Sequence, residues 1–259
     1  MILDDILVET RRTVTASQAR FPFEAVCARA EDAAPVRSLA GAIRAARGMA
    51  CIAEFKRRSP SKGWIRRDAD VAQVARLYGA SGASGISVLT DAPFFGGSLD
   101  DLRQARAAVD LPILRKDFIV DPYQVAEARA AGADAVLLIV AALSDSQMLA
   151  LLAEVERWGM DALVEGHDPD EVARAVATGA KLIGVNHRDL RTFTMNMDLA
   201  VSMRPLVPED RLMVAESGIK TGEDAGRLAA AGVDAVLVGE TLMQASDPAA
   251  ELRALLGRS

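Results

Sequence analysis

A short segment that recurs four times along the chain limits the available folds more than any other feature of the sequence. Its clearest copies are AGADAVLL at 131–138 and AGVDAVLV at 231–238, which lie 100 positions apart. Weaker copies begin at Ser81 and Thr178. Each copy follows an amphipathic stretch rich in Ala and Arg. This pattern indicates a helix that ends at a glycine and is followed by a short buried strand.

The spacing of the copies predicts how many strands the chain contains. The glycines of the four copies are 50, 47 and 53 residues apart: Gly82, Gly132, Gly179 and Gly232. One strand, one helix and their loops take roughly half of that length, so the copies mark every second strand. The strands predicted in this way lie at 49–56, 84–89, 111–116, 134–140, 161–165, 182–186, 211–216 and 235–239.

Eight parallel strands that alternate with helices predict an α/β fold, the (β/α)8 TIM barrel. A doubly wound open sheet is the alternative. Such a sheet often carries a glycine-rich dinucleotide-binding turn after its first strand, and here EFKRRSP stands at 54–60 instead. The barrel is therefore the favoured architecture.

The residues before the first strand form an extension to the barrel. We predict a helix at 2–19, a turn at 21–23 and a second helix at 35–47. No linker rich in Gly, Ser or charge repeats separates this segment from the rest. The sequence thus predicts one domain, 1–259, in which an N-terminal helical extension, 1–47, covers the mouth of a barrel formed by 48–259.

Charge and composition exclude several classes of function. The net charge of 30 − 36 = −6 argues against a nucleic acid or an anionic membrane as the main partner. The N-terminus has no basic segment before an apolar run, and the longest apolar run, 135–143, is far below the roughly 20 residues of a membrane span. We expect a cytoplasmic protein that is a monomer or a weak homo-oligomer and that acts on a small molecule.

The two cysteines show no spacing that is typical of a metal or redox site. We interpret Cys27 and Cys51 as free buried thiols in a reducing compartment. No cluster of His and Cys ligands is visible elsewhere. The sequence therefore predicts no metal and no organic cofactor.

Several predicted strands end in charged or amide side chains. These residues are Glu54, Lys56, Lys116, Glu165, Asn186 and Glu216. Any single one of them could simply mark the end of a strand. However, barrel chemistry takes place at the carboxyl ends of the strands, and ionised side chains are rarely buried without a partner. Lysines and glutamates that converge on one rim therefore indicate paired charges, shifted pKa values and catalysis.

The loops after the seventh and eighth strands carry a second signal. Barrels of this kind often bind phosphate there through backbone N–H groups, and glycine allows the backbone to approach an anion closely. Ser217, Gly218, Gly239 and Glu240 occupy these positions. The alternative is that the glycines serve only as turn residues.

Two aromatic residues near the same rim offer apolar surface. Phe95 lies in the segment FFGGS that follows the second strand, and Phe118 follows the third strand. They could line a pocket for an aromatic substrate, or the loop could merely pack on the rim.

Six stretches of the chain, in the same order, resemble the indole-3-glycerol-phosphate synthase family. They are IAEFKRRSPSKG at 52–63; SVLTD at 87–91 together with FGGS at 95–98; LRKDFI at 114–119; LVE at 163–165; NHRDLRTF at 186–193; and ESGI at 216–219. The resemblance extends from about Phe21 to the C-terminus. His187 departs from it, since the family usually has Asn there, and Gly166 replaces a frequent Val.

The resemblance implies ring closure, decarboxylation and dehydration of 1-(2-carboxyphenylamino)-1-deoxyribulose 5-phosphate, without a cofactor. Lys116 would be the general acid that protonates the ketone oxygen. Glu165 would stabilise the cationic intermediate and later accept a proton. Lys56 would hold the substrate phosphate or carboxylate and is a candidate donor of the proton that expels hydroxide. Glu54 would pair with a lysine and set its charge.

The resemblance also implies which groups orient the substrate. Asn186, Arg188 and Ser59 would hold its hydroxyl and carboxylate groups, and the planar Arg188 guanidinium suits a carboxylate. Glu216 would position a substrate hydroxyl or a neighbouring lysine.

Two alternatives remain open at this point. One is another phosphate-binding barrel enzyme, such as phosphoribosylanthranilate isomerase, which needs one acid and one base but no second lysine. The other is a non-catalytic barrel that binds a phosphorylated metabolite or a protein partner.

Overall fold

The parallel strands close on themselves into a barrel. The computed structural model describes residues 2–189, 191–192 and 194–258, and within them eight parallel strands pair with their neighbours in sequence, the last with the first. The strands are Ala50–Phe55, Gly85–Leu89, Ile113–Lys116, Ala135–Ile139, Asp161–Gly166, Leu182–Asn186, Leu212–Glu216 and Ala235–Val238. The predicted fold class and all the predicted strands are confirmed, and their ends differ by at most two residues. Leu190 and Phe193, which belong to one of the family-like stretches, lie outside the described residues.

Helices follow the strands and cover the outside of the barrel. Their bounds are α4 Val71–Ala80, α5 Ala92–Phe95, α6 Leu99–Ala108, α7 Pro122–Ala130, α8 Asp145–Arg157, α9 Pro169–Ala177, α10 Leu199–Met203, α11 Gly222–Ala230, α12 Glu240–Gln244 and α13 Pro248–Leu255. Short 3-10 turns lie at Val140–Ala142 and Arg204–Leu206, and Arg58–Ser59 pairs with Gly63–Trp64 in a small antiparallel hairpin above the first strand.

The helices begin where the sequence supplies caps. The Asp168 side chain accepts a hydrogen bond from the backbone N–H of Glu171, and Pro169 occupies the first turn of α9. Asp121 and Pro122 start α7 in the same way. A carboxylate satisfies amides that have no partner inside the helix, and proline needs no such partner.

Side chains alternate between two apolar layers along each strand. Ile52 and Leu114 are fully buried in the barrel interior, whereas Cys51 and Ile113 are buried between the strands and the helices. Successive strand residues point to opposite faces, so each strand contributes to both layers. A side chain at the carboxyl end of an inward-facing row therefore points into the barrel mouth.

Residues 2–47 fold into three helices, one more than the sequence predicts. They are α1 (Ile2–Arg20), α2 (Phe23–Glu31) and α3 (Leu39–Ala45). Helix α2 is the one that was missed. It has nine residues, and its buried face packs with Tyr123 of α7. Such a short helix depends on tertiary packing, which periodicity in the sequence does not reveal.

The extension runs along the barrel from one end to the other. Leu3 and Ile6 of α1 line the cavity at the mouth. Helix α3 lies at the opposite end, where the Ser38 hydroxyl and the Ala40 N–H donate to Asp161, the first residue of the fifth strand. The prediction that the whole extension covers the mouth therefore needs correction, because only α1 lies there. Helix α3 closes the other end, where the interior would otherwise be open to water.

Asp134 joins the extension to the barrel. Its fully buried carboxylate accepts hydrogen bonds from the backbone N–H groups of Arg37 and Ile113, both at 2.8 Å, and pairs with Arg106 at 2.6 Å. Removing one partner of a buried ion pair leaves the other charge without compensation.

We therefore expect Asp134→Ala to lower the free energy of unfolding by about 3–5 kcal/mol. The loss would appear in urea-induced unfolding followed by circular dichroism. Asp100→Ala is the matched control, because Asp100 pairs with Arg103 on the surface, where both side chains are at least half exposed. Equal effects of the two substitutions would contradict the role given to Asp134.

Candidate active site

A cavity at the carboxyl ends of the strands is lined by every site residue that the sequence predicts. Its lining includes the proposed catalytic residues Glu54, Lys56, Lys116, Glu165 and Asn186. It also includes the proposed binding residues Ser59, Phe95, Phe118, Arg188, Glu216, Ser217, Gly218, Gly239 and Glu240. Sequence reasoning missed Leu3, Ile6 and Ser61, which reach the cavity from α1 and the hairpin loop. The only sequence signal for Leu3 and Ile6 was the apolar face of the first predicted helix.

Lys116 lies between two carboxylates at the centre of the site. Its Nζ atom is 3.3 Å from Glu165 Oε2 and 3.2 Å from Glu216 Oε2. These side chains are 14%, 3% and 2% exposed, so the three charged groups are almost removed from water. A second pair lies beside them, where Lys56 Nζ is 2.8 Å from Glu54 Oε1.

The arrangement follows from the strand order. Glu54, Lys116, Glu165 and Glu216 come from the first, third, fifth and seventh strands. In a (β/α)8 barrel the interior fills in layers, and each layer takes its side chains from alternate strands. The charged groups therefore form the layer that faces the mouth.

A glycine on the sixth strand and another just after the eighth strand make room for this layer. A Cβ atom at Gly184 of the sixth strand would lie 2.6 Å from Glu216 Oε1. A Cβ atom at Gly239, which follows the eighth strand, would collide with the Glu54 carboxylate. The sequence suggested Gly239 as a phosphate ligand, but it did not reveal that Glu54 needs the space of a missing side chain.

The carboxylates around Lys116 determine its protonation. Burial alone would lower the pKa of the Lys116 ammonium, but the charges of Glu216, Glu165 and Glu54 together outweigh burial and raise it. Lys116 therefore carries a proton throughout the neutral pH range, as a general acid must.

The pKa of the Glu216 carboxyl is raised as well, which in its case favours the neutral form. Burial is the main cause that raises its pKa from 4.5 to about 8, and the charge of Glu165 adds to this, while Lys116 opposes it. Three carboxylates thus face two ammonium groups, and Glu216 holds the extra proton near neutral pH. This brings the net charge of the group close to zero.

Polar groups of the hairpin loop and the sixth strand form one side of the mouth. Asn186 Oδ1 accepts a hydrogen bond of 3.0 Å from the Arg188 N–H, and Arg188 Nη1 donates to Ser61 Oγ at 3.4 Å. Lys62 Nζ lies 3.6 Å from Glu240 Oε1, which follows the neighbouring eighth strand. These contacts connect the hairpin loop to the loops after the sixth and eighth strands.

The backbone is open to an anion after the seventh and eighth strands. Ser217 and Gly218 both have left-handed conformations, with φ of 69° and 76°. Within the described part of the chain, the N–H groups of Gly218, Gly239 and Glu240 donate to no carbonyl or side chain. Consecutive free amides that line a cavity are a typical setting for phosphate.

The loop leaves no space for a side chain at Gly218. A Cβ atom there would collide with Met197 Sδ and would also adopt the left-handed conformation that L side chains rarely take. A larger residue would therefore distort the loop itself, in addition to any obstruction of the cavity.

The remaining wall of the cavity is apolar. The rings of Phe95 and Phe118 lie with centroids 6.1 Å apart and tilted by 36°. Leu3 and Ile6 of α1 complete this wall. The third and seventh strands are opposite in the closed ring, so Phe118 lies across the mouth from Ser217.

The described part of the chain holds neither a membrane-spanning helix nor a cluster of metal ligands. None of the helices in 2–189, 191–192 and 194–258 is long and apolar enough to cross a membrane. In the same residues, no three His, Cys, Asp or Glu side chains come together in a way that could hold a metal ion.

Comparison with known proteins points to one family. A family model described as indole-3-glycerol phosphate synthase matches residues 3–255. An indole-3-glycerol phosphate synthase of Rhodopirellula baltica is 49% identical over 255 residues, which cover 98% of each chain. Indole-3-glycerol phosphate synthase 2 of Streptomyces coelicolor is 54% identical over 228 residues, 88% of each chain.

The fold also resembles that of a solved structure outside this family. A crystal structure of 3-hexulose-6-phosphate synthase matches with a TM-score of 0.66 at 17% identity, and the match covers 81% of this chain and 99% of that chain. At such low identity the likeness concerns the barrel fold alone.

The buried proton on Glu216 gives a pH-dependent prediction. Between about pH 4.5 and 8 the folded protein keeps a proton that the unfolded chain releases, so the stability from this group falls as the pH rises through that window. Glu216→Gln removes this dependence. We expect the melting temperature of the variant minus that of the wild type to increase from pH 5 to pH 8. Scanning calorimetry without substrate measures this difference.

Glu240→Gln is the control, because Glu240 is a rim carboxylate with a more exposed side chain. This variant should keep the wild-type profile. A difference between Glu216→Gln and the wild type that stays constant with pH would rule out the proton on Glu216.

Proposed function

Because the chain belongs to the indole-3-glycerol phosphate synthase family, we propose that its cavity binds 1-(2-carboxyphenylamino)-1-deoxyribulose 5-phosphate and converts it to indole-3-glycerol phosphate. The family resemblance found in the sequence is confirmed, and with it the function as a carboxy-lyase of tryptophan biosynthesis. The isomerase and the non-catalytic barrel are set aside. The observation that carries the site assignment is the Lys116 ammonium between Glu165 and Glu216.

The two sides of the cavity orient the substrate. The free amides of Gly218 and Gly239 suit the phosphate, since backbone N–H groups can approach the anion without an intervening side chain. Phe95 and Phe118 across the mouth suit the carboxyphenyl ring. Arg188 lines the cavity, and its planar guanidinium suits the carboxylate. The ketone then lies between these ends, over the charged layer.

Ring closure needs an acid at the ketone. The ring carbon that bears the carboxylate attacks the ketone carbon, a C–C bond forms, and the ketone oxygen takes a proton from Lys116. The raised pKa of Lys116 keeps this proton available in the resting enzyme. The ring gains positive charge in this step, and the nearby Glu165 carboxylate stabilises it.

The later steps restore aromaticity. Carbon dioxide leaves, and the electrons of the broken C–C bond neutralise the ring. The new hydroxyl group then departs as water with a proton from Lys56, while Glu165 accepts the proton that the ring system loses. Glu54, at 2.8 Å from Lys56 Nζ, holds this lysine in place. Asn186 and Ser59 line the same cavity, and their polar side chains suit substrate hydroxyl groups.

Three further expectations stay predictions from the sequence. They are cytoplasmic location, a monomeric or weakly associated state, and activity without a metal or an organic cofactor.

The proposed roles of the lysines can be separated by kinetics. The wild type should convert the substrate with a rise in indole fluorescence. Lys116→Met should lower kcat by at least about 10²-fold, the low end for general acid catalysis, with a smaller effect on substrate binding. Lys56→Met should reduce turnover less or change the step that limits it. Steady-state and single-turnover fluorescence measurements distinguish these outcomes.

Lys116 is buried between carboxylates rather than exposed on the rim, so its replacement also removes a counter-charge. The carboxylates can respond by taking up a proton, and we expect a lower melting temperature with the fold retained. Circular dichroism provides this control. Near-normal turnover by Lys116→Met, or a complete block of ring closure in Lys56→Met alone, would refute the assignment of the acid.

A further inference from the structure

His187 is a fully buried residue that contacts the loop at Ser217 and Gly218. It follows the sixth strand directly, and its side chain is absent from the lining of the cavity. Its Nδ1 atom lies 2.9 Å from the carbonyl oxygen of Ser217. A carbonyl oxygen only accepts, so Nδ1 carries the hydrogen and donates it.

The other ring nitrogen supports this assignment. Nε2 of His187 is buried and has no hydrogen-bond partner among the described residues. A proton on this atom would be buried without an acceptor, and burial accordingly lowers the pKa of the ring. His187 is therefore a neutral imidazole that donates one hydrogen bond, to Ser217.

The peptide group between Ser217 and Gly218 connects this hydrogen bond to the cavity. In a trans peptide the C=O and the following N–H point in opposite directions. The peptide that carries the Ser217 carbonyl also carries the Gly218 N–H, and the described residues contain no cis peptide bond. When His187 holds the carbonyl on the outer side, the Gly218 N–H must point into the cavity.

We propose that His187 is a positioning residue that locks the Ser217–Gly218 peptide so that the Gly218 N–H faces the substrate phosphate. The proposal rests on the phosphate assignment under the proposed function. It concerns how the Gly218 amide is held in position. The family resemblance does not imply this role, because this chain has His187 where the family usually has Asn.

The loop needs such an anchor because its conformation is unfavourable. Ser217 has a positive φ of 69° without being a glycine, and the flexible Gly218 follows it at 76°. A residue in this region persists only when its surroundings hold it there. Without the hydrogen bond to its carbonyl, the peptide could rotate and turn the Gly218 N–H away from the anion.

His187 is itself well fixed. Its backbone N–H donates to the Glu216 carbonyl and its carbonyl accepts from the Asn196 N–H, both at 2.9 Å. Met197, on the same loop, packs against the Cα of Gly218. The loop after the sixth strand therefore holds the loop after the seventh strand at two adjacent points.

Two substitutions isolate the donated hydrogen bond. In His187→Asn the side-chain amide nitrogen occupies the place of Nδ1 and can donate in the same direction. In His187→Leu a methyl group takes that place, so the side chain stays branched at Cγ but loses its hydrogen-bond donor. The probes are the substrate and inorganic phosphate, whose affinity is measured by competitive inhibition and by calorimetry.

For His187→Leu we expect KM and the dissociation constant of phosphate to rise together by about fivefold to tenfold, the range of one hydrogen bond. The kcat should stay within about twofold, because the charged layer is untouched. His187→Asn should restore both constants to within about twofold of the wild type. Binding of anthranilate, which lacks phosphate, should be unchanged in either variant.

The inference is overturned if His187→Leu leaves both constants at wild-type values. It is also overturned if His187→Asn shows the same loss as His187→Leu, since the bulk of the ring would then matter and not its donor. Calorimetry with phosphate does not depend on turnover, so a wild type that binds phosphate but fails to convert the substrate refutes the proposed function instead. If His187→Leu does not fold by circular dichroism, His187→Ala replaces it in the same comparison.

Discussion

The buried ammonium group of Lys116 is the constraint on which the rest of the site depends. A charge that is almost removed from water is tolerated only when opposite charge lies close by. The Glu165 carboxylate supplies it at 3.3 Å, and a Glu216 oxygen accepts from the Lys116 ammonium at 3.2 Å. Their presence keeps Lys116 protonated and leaves a proton on Glu216. The same interaction therefore stabilises the charged layer and gives Lys116 the protonated state that its proposed role as general acid requires.

The barrel makes this charged layer possible. Alternate strands supply the charged side chains, while Gly184 on an intervening strand and Gly239 beyond the last strand leave the space that Glu216 and Glu54 fill. Helix α3 closes the far end of the interior, and α1 adds apolar surface at the mouth. The charged layer between these two helices is thus largely buried.

Much of the fold could be predicted because the signals are local. The repeated glycines and buried strands reflect helix ends and strand burial within a few residues, so the strand bounds agree with the structure to within two residues. Helix α2 was missed because its stability comes from contact with Tyr123, about 100 positions away. The placement of α3 was wrong for the same reason, since Asp161, its partner, belongs to the fifth strand.

The sequence by itself determined the order of strands and helices, and with it which side chains end at the mouth, because alternation along a strand assigns each residue to a face. It also identified the family through six stretches. Only the tertiary structure decided which charges pair, that Lys116 is buried, and that His187 holds the Ser217 carbonyl. These outcomes depend on distances between residues from different strands and on the loss of water around them, and neither quantity is encoded in any single stretch of the chain.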